Sequence, residues 1–237
     1  MNLLAFDTST DQMSIAVQRG IGDAARLWQH TAAGGALTSS QLIPEIQRLM
    51  ALAQLKFGAL DAIVFGAGPG SFTGLRTACS VAQGLGFGAA VPLLPVDTLM
   101  AVAQDAWTQL GSPQGLRVTS LLDARMDEMY AASYYFDSDK VMCDKHYSLI
   151  SPENLLWNGS DVLAGNVFAA YGPRMNAAGA QRVLAMPTAA ALLQLAPALL
   201  AQGAAVSADQ ALPIYIRDKV AQTTQERADA KLAALVA

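Results

Sequence analysis

Cysteine and histidine are scarce in this 237-residue chain, at two each, and their placement removes whole classes of chemistry. Cys79 and Cys143 lie far apart with no Cys-x-x-Cys spacing, which excludes zinc ribbons and redox centres and predicts reduced thiols. His30 and His146 each stand alone. Without a His-x-x-x-His pair, no helix can place two imidazoles on one face, so a His-based metalloprotease is excluded and no metal ligands are assigned. Basic runs are missing too. Lys and Arg total 15 against 19 Asp and Glu, and no stripe of either is present to neutralise phosphates, so any nucleic acid must be held chiefly by a partner. The most apolar late stretch, 189–206, contains Gln194, Pro197, Gln202 and Gly203, which predicts a packed helix rather than a membrane span. The start, Met1-Asn2-Leu3-Leu4-Ala5-Phe6-Asp7, carries no basic region before its first acid, which predicts no signal peptide and a cytoplasmic protein with no membrane partner. Asn158-Gly159-Ser160 then reads as a turn rather than a glycosylation site.

What is abundant is apolar: 53% of residues are hydrophobic, enough for a sizeable core. Three strands open the chain, over Leu3 to Asp7, Met13 to Gln18 and Ala24 to Gln29, with a glycine turn at 19–22. A helix is predicted over Ser40 to Gln54 with Leu42, Ile46, Leu49, Met50 and Ala53 inward, its start near Gln41 if Pro44 is to be tolerated. A strand over 61–66, a helix over Thr73 to Ala89, a strand over Leu93 to Val96 and a helix capped by Thr98 follow. From Arg117 the theme recurs. Strands are predicted over 118–122, 128–136, 141–149 and 162–164, with a short helix starting at Ser151-Pro152-Glu153 and a helix over 188–202 interrupted at Pro197. Three strands followed by alternating helices and strands, twice, predict a duplicated ribonuclease-H-like α/β fold. Its lobes would span 1–110 and 111–217, joined at Gly111-Ser112-Pro113-Gln114-Gly115, with residues 218–237 as a solvated tail.

The residues that can carry chemistry sit at strand ends. Asp7-Thr8-Ser9-Thr10 offers a carboxylate and three hydroxyls in a tight turn, either to hold hydrated Mg²⁺ and a phosphate or to bond its own backbone. Gly68-Pro69-Gly70-Ser71-Phe72-Thr73-Gly74-Leu75-Arg76 joins a strand to a helix through a backbone that can approach a phosphate or another protein's backbone closely, with Ser71 or Thr73 as the cap. No Gly-Lys-Ser/Thr closes it, so it is not a Walker A motif. Asp123 ends a later strand as a second cleft carboxylate would, with Arg125, Glu128 and Tyr130 at hairpin spacing, in a cleft or in an exposed polar turn. The helix over 73–89 carries Gly74, Ala78, Ala82, Gly84, Gly86 and Gly88; small residues there serve close packing on the chain's own sheet or on another helix.

Leu4-Ala5-Phe6-Asp7-Thr8-Ser9-Thr10, the glycine element, Asp123-Ala124-Arg125-(x)2-Glu128-(x)-Tyr130 and Pro213-Ile214-Tyr215-Ile216-Arg217 together resemble the TsaB (YeaZ) family, in order and across most of the chain. The resemblance implies a two-lobed actin/sugar-kinase/Hsp70-like fold and a non-catalytic homologue of TsaD. Such a subunit pairs with TsaD and the ATPase TsaE in placing threonylcarbamoyl on N6 of A37 in ANN-reading tRNAs. It implies a homodimer in the absence of TsaD, contact with tRNA only through partners, and ATP and metal held by those partners. A vestigial nucleotide cleft would involve Asp7, Thr8, Ser9, Thr10, Gly68, Gly70, Ser71 and Asp123; the partner interface, Leu75, Ala78, Cys79, Ala82 and Gly86; and a partner- or cleft-facing surface, Arg125, Glu128 and Tyr130. The chain departs from its relatives in offering only Gly165-Asn166 and Gly172-Pro173 where an adenosine loop would lie, and Thr38-Ser39-Ser40-Gln41 where family members often have a His. Two other classes compete with the scaffold: an active nucleotide-dependent transferase or kinase, which needs an adenosine loop and a catalytic carboxylate in a closed cleft, and a peptidase, which needs metal histidines or a Ser-His-Asp set.

Overall fold

Short apolar runs broken by glycine turns make the first sheet. In β1 (Leu3–Asp7) every residue is buried, and β4 (Ala62–Gly68) is buried throughout, as strands covered on both faces must be. Antiparallel to β1 runs β2 (Gln12–Arg19), and beyond it the edge strand β3 (Arg26–Ala33); β4 and β5 (Leu93–Asp97) extend the other side in parallel, giving the order β3-β2-β1-β4-β5. The computed structural model describes residues 1–137, 140–143 and 147–217, so the tail over 218–237 and His146 lie outside the described residues.

The second sheet repeats the plan with β6 (Leu116–Arg125), β7 (Glu128–Asp137), β8 (Lys140–Cys143), β9 (Ser148–Ile150), β10 (Val162–Gly165) and β11 (Arg182–Leu184). Its order is β8-β7-β6-β10-β11, with β9 also on β7, so the two halves share one topology and the duplicated α/β architecture is that of a two-lobed actin-like fold.

The helices differ between halves. On the outer face of the first sheet lie α1 (Thr38–Leu52) and α2 (Phe72–Ala89), burying Leu42, Ile46, Leu49, Ala78 and Ala82 against Leu4, Phe6, Ile15 and Phe65. The outer face of the second is covered by a 3₁₀ turn at Pro152–Asn154, the one-turn α4 (Phe168–Tyr171) and loops. Between the sheets lie α3 (Thr98–Gln109) and α5 (Ala189–Ala201), and these are exchanged. α3 packs Leu99, Val102 and Ala106 on Val118, Leu122 and Tyr134 of the second sheet, and α5 packs Leu192 and Ala196 on Leu3, Ala5 and Val64 of the first. The turn at 111–115 therefore separates the sheets but not the packing units.

Several local expectations are corrected. β3 begins at Arg26 because residues 22–24 form a 3₁₀ turn. α1 starts at Thr38, so Pro44 lies in its second turn and leaves the Ser40 carbonyl without the backbone donor it would otherwise have. Asp97, not Thr98, caps α3, accepting from Leu99 N at 2.9 Å, while Thr98 Oγ1 accepts from Gly68 N at 3.0 Å. Pro197 does not interrupt α5, and 141–149 is two strands rather than one. After α5 a strap returns over the first lobe. Val206 bridges to Leu93, Ala211 O accepts from Gln83 Nε2 at 2.9 Å, and Ile214 N donates to Ala67 O at 2.7 Å.

Candidate functional site

A cleft of about 520 Å³ opens between the lobes, walled by the β1–β2 turn, the start of α2, the β6–β7 hairpin and the strap. The glycine element forms its first wall, and the reason for its glycines is visible. Ser71 N donates to Ser9 O at 2.7 Å and Thr8 Oγ1 to Gly74 O at 2.7 Å, so the loop lies flat on the β1–β2 turn. A Cβ on Gly74 would stand 1.8 Å from Thr8 O, and one on Gly70 2.6 Å from Ser9 O. Main chain meets main chain along this contact. Ser71 occupies the position before α2 but makes no side-chain cap bond, and Thr73 lies inside the helix.

Asp7 is sealed by this contact. It is 1% exposed and does not line the cleft. Its Oδ1 accepts from Ser9 N at 2.8 Å and Ser9 Oγ at 2.7 Å, whereas Oδ2 has no hydrogen-bond partner among the described residues and rests over Gly66, where a Cβ would stand 1.7 Å from it. Burial pushes the carboxyl up to about 7, against the opposing pull of the two Ser9 bonds. The vestigial cleft inferred for the family therefore divides: Ser9, Thr10, Gly70, Ser71 and Asp123 line it, while Asp7 and Thr8 lie beneath it and Gly68 under the strap, a Cβ there 2.5 Å from Ile214 O. Phosphate or metal held by Asp7 does not fit these residues.

The second wall is the tip of the β6–β7 hairpin. Asp123 Oδ1 accepts from Arg125 N at 2.8 Å and Tyr171 Oη at 3.1 Å, and Oδ2 pairs with Arg125 at 3.1 Å; Asn166 Oδ1 accepts from Asp123 N at 3.0 Å. Burial, then the bond to Asp123, raises the Tyr171 hydroxyl above its ordinary range. Arg125 and Tyr130 line the cleft, and Glu128 instead pairs with Arg217 at 2.6 Å. Arg174 holds the tip from outside, bonding Asp127 at 2.5 and 2.7 Å and Glu153 at 2.5 Å, and holds both carboxyls below their usual range. Gly165, where an adenosine loop was sought, serves strand packing, since a Cβ would stand 1.7 Å from Leu121 O.

The five α2 residues assigned to a partner interface face the wrong way for one. Leu75, Ala78, Cys79, Ala82 and Gly86 are all buried within the chain, and a Cβ on Gly86 would stand 2.6 Å from Leu93 Cδ2. Ala78, Cys79, Ala82 and Gly86 are small because α2 lies close on its own sheet. The outward face carries Ser80, Gly84, Phe87 and Gly88, with nothing among the described residues within 4 Å of a Cβ on either glycine and Phe87 84% exposed.

One polar hub was not read from the sequence. Asp97, at the end of β5, accepts from Tyr134 Oη in a short bond and from Tyr147 Oη at 3.1 Å, tying the first sheet to the second. Burial raises the Asp97 carboxyl, the bonds from Tyr134, Leu99, Tyr147 and Met100 opposing, and burial with Asp97 beside them raises both tyrosines. An acid directly after the predicted strand, beside the Thr98 taken as the cap, was the available signal, and no role was assigned to it.

The comparisons agree with this architecture. A family model described as TsaD, tRNA N6-adenosine threonylcarbamoyltransferase, matches residues 36–159. The chain is 30% identical over 236 residues to the tRNA threonylcarbamoyladenosine biosynthesis protein TsaB of Escherichia coli (strain K12), covering 93% of this chain and 96% of that one. It is 33% identical over 238 residues to the TsaB of Haemophilus influenzae, covering 93% and 95%. Among solved structures, YeaZ from Pseudomonas aeruginosa superposes with a TM-score of 0.80 at 35% identity, over 91% of this chain and 99% of that chain. With likeness of this extent running through both lobes, the chain belongs to the TsaB (YeaZ) family.

Proposed function

We propose that this protein is a non-catalytic cytoplasmic subunit in the synthesis of threonylcarbamoyladenosine at A37 of ANN-reading tRNAs. In this reading it docks on TsaD through the outer face of α2, works with TsaE, and pairs with a second copy when TsaD is absent. The observation that carries the docking is the pair Gly84 and Gly88. Each glycine costs a helix roughly 1 kcal/mol against alanine, and the chain's own sheet does not account for these two, because both face open space beside the exposed Phe87. A partner helix approaching closely offsets that cost.

The supporting chemistry is of restraint. Asp7 lies outside the cleft with its turn closed by backbone, and Asp123, which does line the cleft, is engaged by Arg125 and Tyr171, which disfavours an active transferase or kinase reading. ATP and catalytic metal then belong to the partner subunits. A formal net charge of −4 with no basic run leaves tRNA to be gripped by those partners as well. In a reconstituted system, omission of this chain is expected to abolish threonylcarbamoylation, although the isolated chain binds tRNA weakly and with a shallow salt dependence. Full modification without it, or tight and steeply salt-dependent tRNA binding by the chain alone, would contradict the proposal.

A further inference from the structure

Three consecutive non-glycine residues at the β6–β7 tip, Arg125, Met126 and Asp127, have φ of +60°, +54° and +65°. L-residues avoid this region because Cβ crowds the following carbonyl oxygen, and hairpin turns that require it normally use Asn-Gly or Gly-Gly. A run of three persists only where the surroundings over-determine it. Arg174 fixes Asp127 from one side. From the other comes Arg217, the last described residue of the strap. Its Nη2 lies 2.6 Å from Glu128 Oε2, 3.1 Å from Ala124 O and 3.4 Å from Arg125 O, and its Nη1 lies 2.8 Å from Met126 Sδ. Its side chain is only 13% exposed, so the guanidinium has exchanged water for these partners. The strap behind it is anchored on the first lobe: Ile214 N bonds Ala67 O, Tyr215 Oη accepts from Arg76 Nε at 3.2 Å, and the Tyr215 ring packs 5.4 Å from that of Phe72.

We propose that Arg217 is a positioning residue, a clasp by which the strap of the first lobe holds the second lobe's hairpin tip in its left-handed conformation and so fixes the cleft wall formed by Arg125 and Met126. An arginine suits the task because its planar fork sets Nη2 on the two carbonyls and the Glu128 carboxylate while Nη1 reaches Met126 Sδ, a spread of donors that the single nitrogen of an ammonium lacks. With the clasp in place, the Arg125 carbonyl is engaged and the Arg125 side chain, 79% exposed, is held against Asp123.

The Arg125–Met126 bond is a trypsin site, and a protease needs its target extended, so cleavage there reports the state of the tip. In the full chain, Arg217→Ala is expected to speed cleavage after Arg125 by about ten-fold or more and to deprotect the amides of 124–129 in hydrogen exchange, since both follow local opening. Arg217→Lys should be intermediate, and protection of β1 and β4 unchanged. A folded Arg217→Ala protein with unaltered cleavage and protection at the tip would overturn the proposal, as would a change spread evenly through both lobes. Should Arg217→Ala fail to fold, Glu128→Gln carries the test: it removes the carboxylate from the clasp, and tip protection equal to wild type in that variant would also overturn it.

Discussion

The two lobes are built on the same strand order, β3-β2-β1-β4-β5 and β8-β7-β6-β10-β11, and yet they treat their outer faces and strand-end acids in opposite ways. The first lobe covers its sheet with helices of 15 and 18 residues; the second does so with a 3₁₀ turn and one helical turn. Asp7 ends its strand buried, with one oxygen unpartnered, whereas Asp123, at the matching place on the second sheet, reaches the cleft and has all its oxygens engaged by Arg125 and Tyr171. One topology thus supports two roles. A long helix pair gives a broad surface that another protein can meet, while a short-looped lobe is shaped by ion pairs and by the strap that crosses to it.

If the first lobe's turn is closed by backbone contact, adding one carbon to that contact should have the largest effect. Gly74→Ala forces a Cβ to 1.8 Å from Thr8 O and is expected to destabilise the protein by roughly 3–5 kcal/mol, read as a loss in denaturant midpoint. The strand-end acids sharpen the contrast. The carboxyl of Asp7 titrates near 7 in the fold and near 3.8 when unfolded, so the fold prefers the protonated form and stability from this group falls as pH rises from about 4 to about 7. Asp7→Asn should abolish that fall and, at pH 8, stabilise the protein by about 3 kcal/mol once its unpaired amide is discounted. Asp123→Asn removes a partly exposed pair and should change stability by less than about 1 kcal/mol. Equal responses at the two sites would break the comparison.

Much of the fold was legible because periodicity and burial coincide: Leu42, Ile46, Leu49, Met50 and Ala53 were assigned to the inner face of α1 and are buried. What escaped depends on partners distant in sequence. The exchange of α3 and α5 between sheets leaves no local mark, since an apolar helix face is the same whichever sheet receives it. The glycine loop was legible as a place of close approach, to a phosphate or another protein's backbone, whereas the backbone that meets it is Thr8 and Ser9 of the same chain. Likewise the small residues of α2 were recognised, while the split between Ala78 and Ala82 inward and Gly84 and Gly88 outward needed the helix placed on its sheet. The clasp of Arg217 joins residues 89 to 93 positions apart and was beyond any motif.

The central claim is that the first lobe meets its partner through the outward glycines of α2. Measuring the affinity of a Gly84→Arg variant for TsaD by analytical ultracentrifugation tests it most directly, because that position is open and the chain tolerates the side chain. The account predicts an intact circular dichroism spectrum with association weakened by about thirty-fold or more, as bulk and a desolvated charge enter a close helix contact. Unchanged affinity in the folded variant would contradict it.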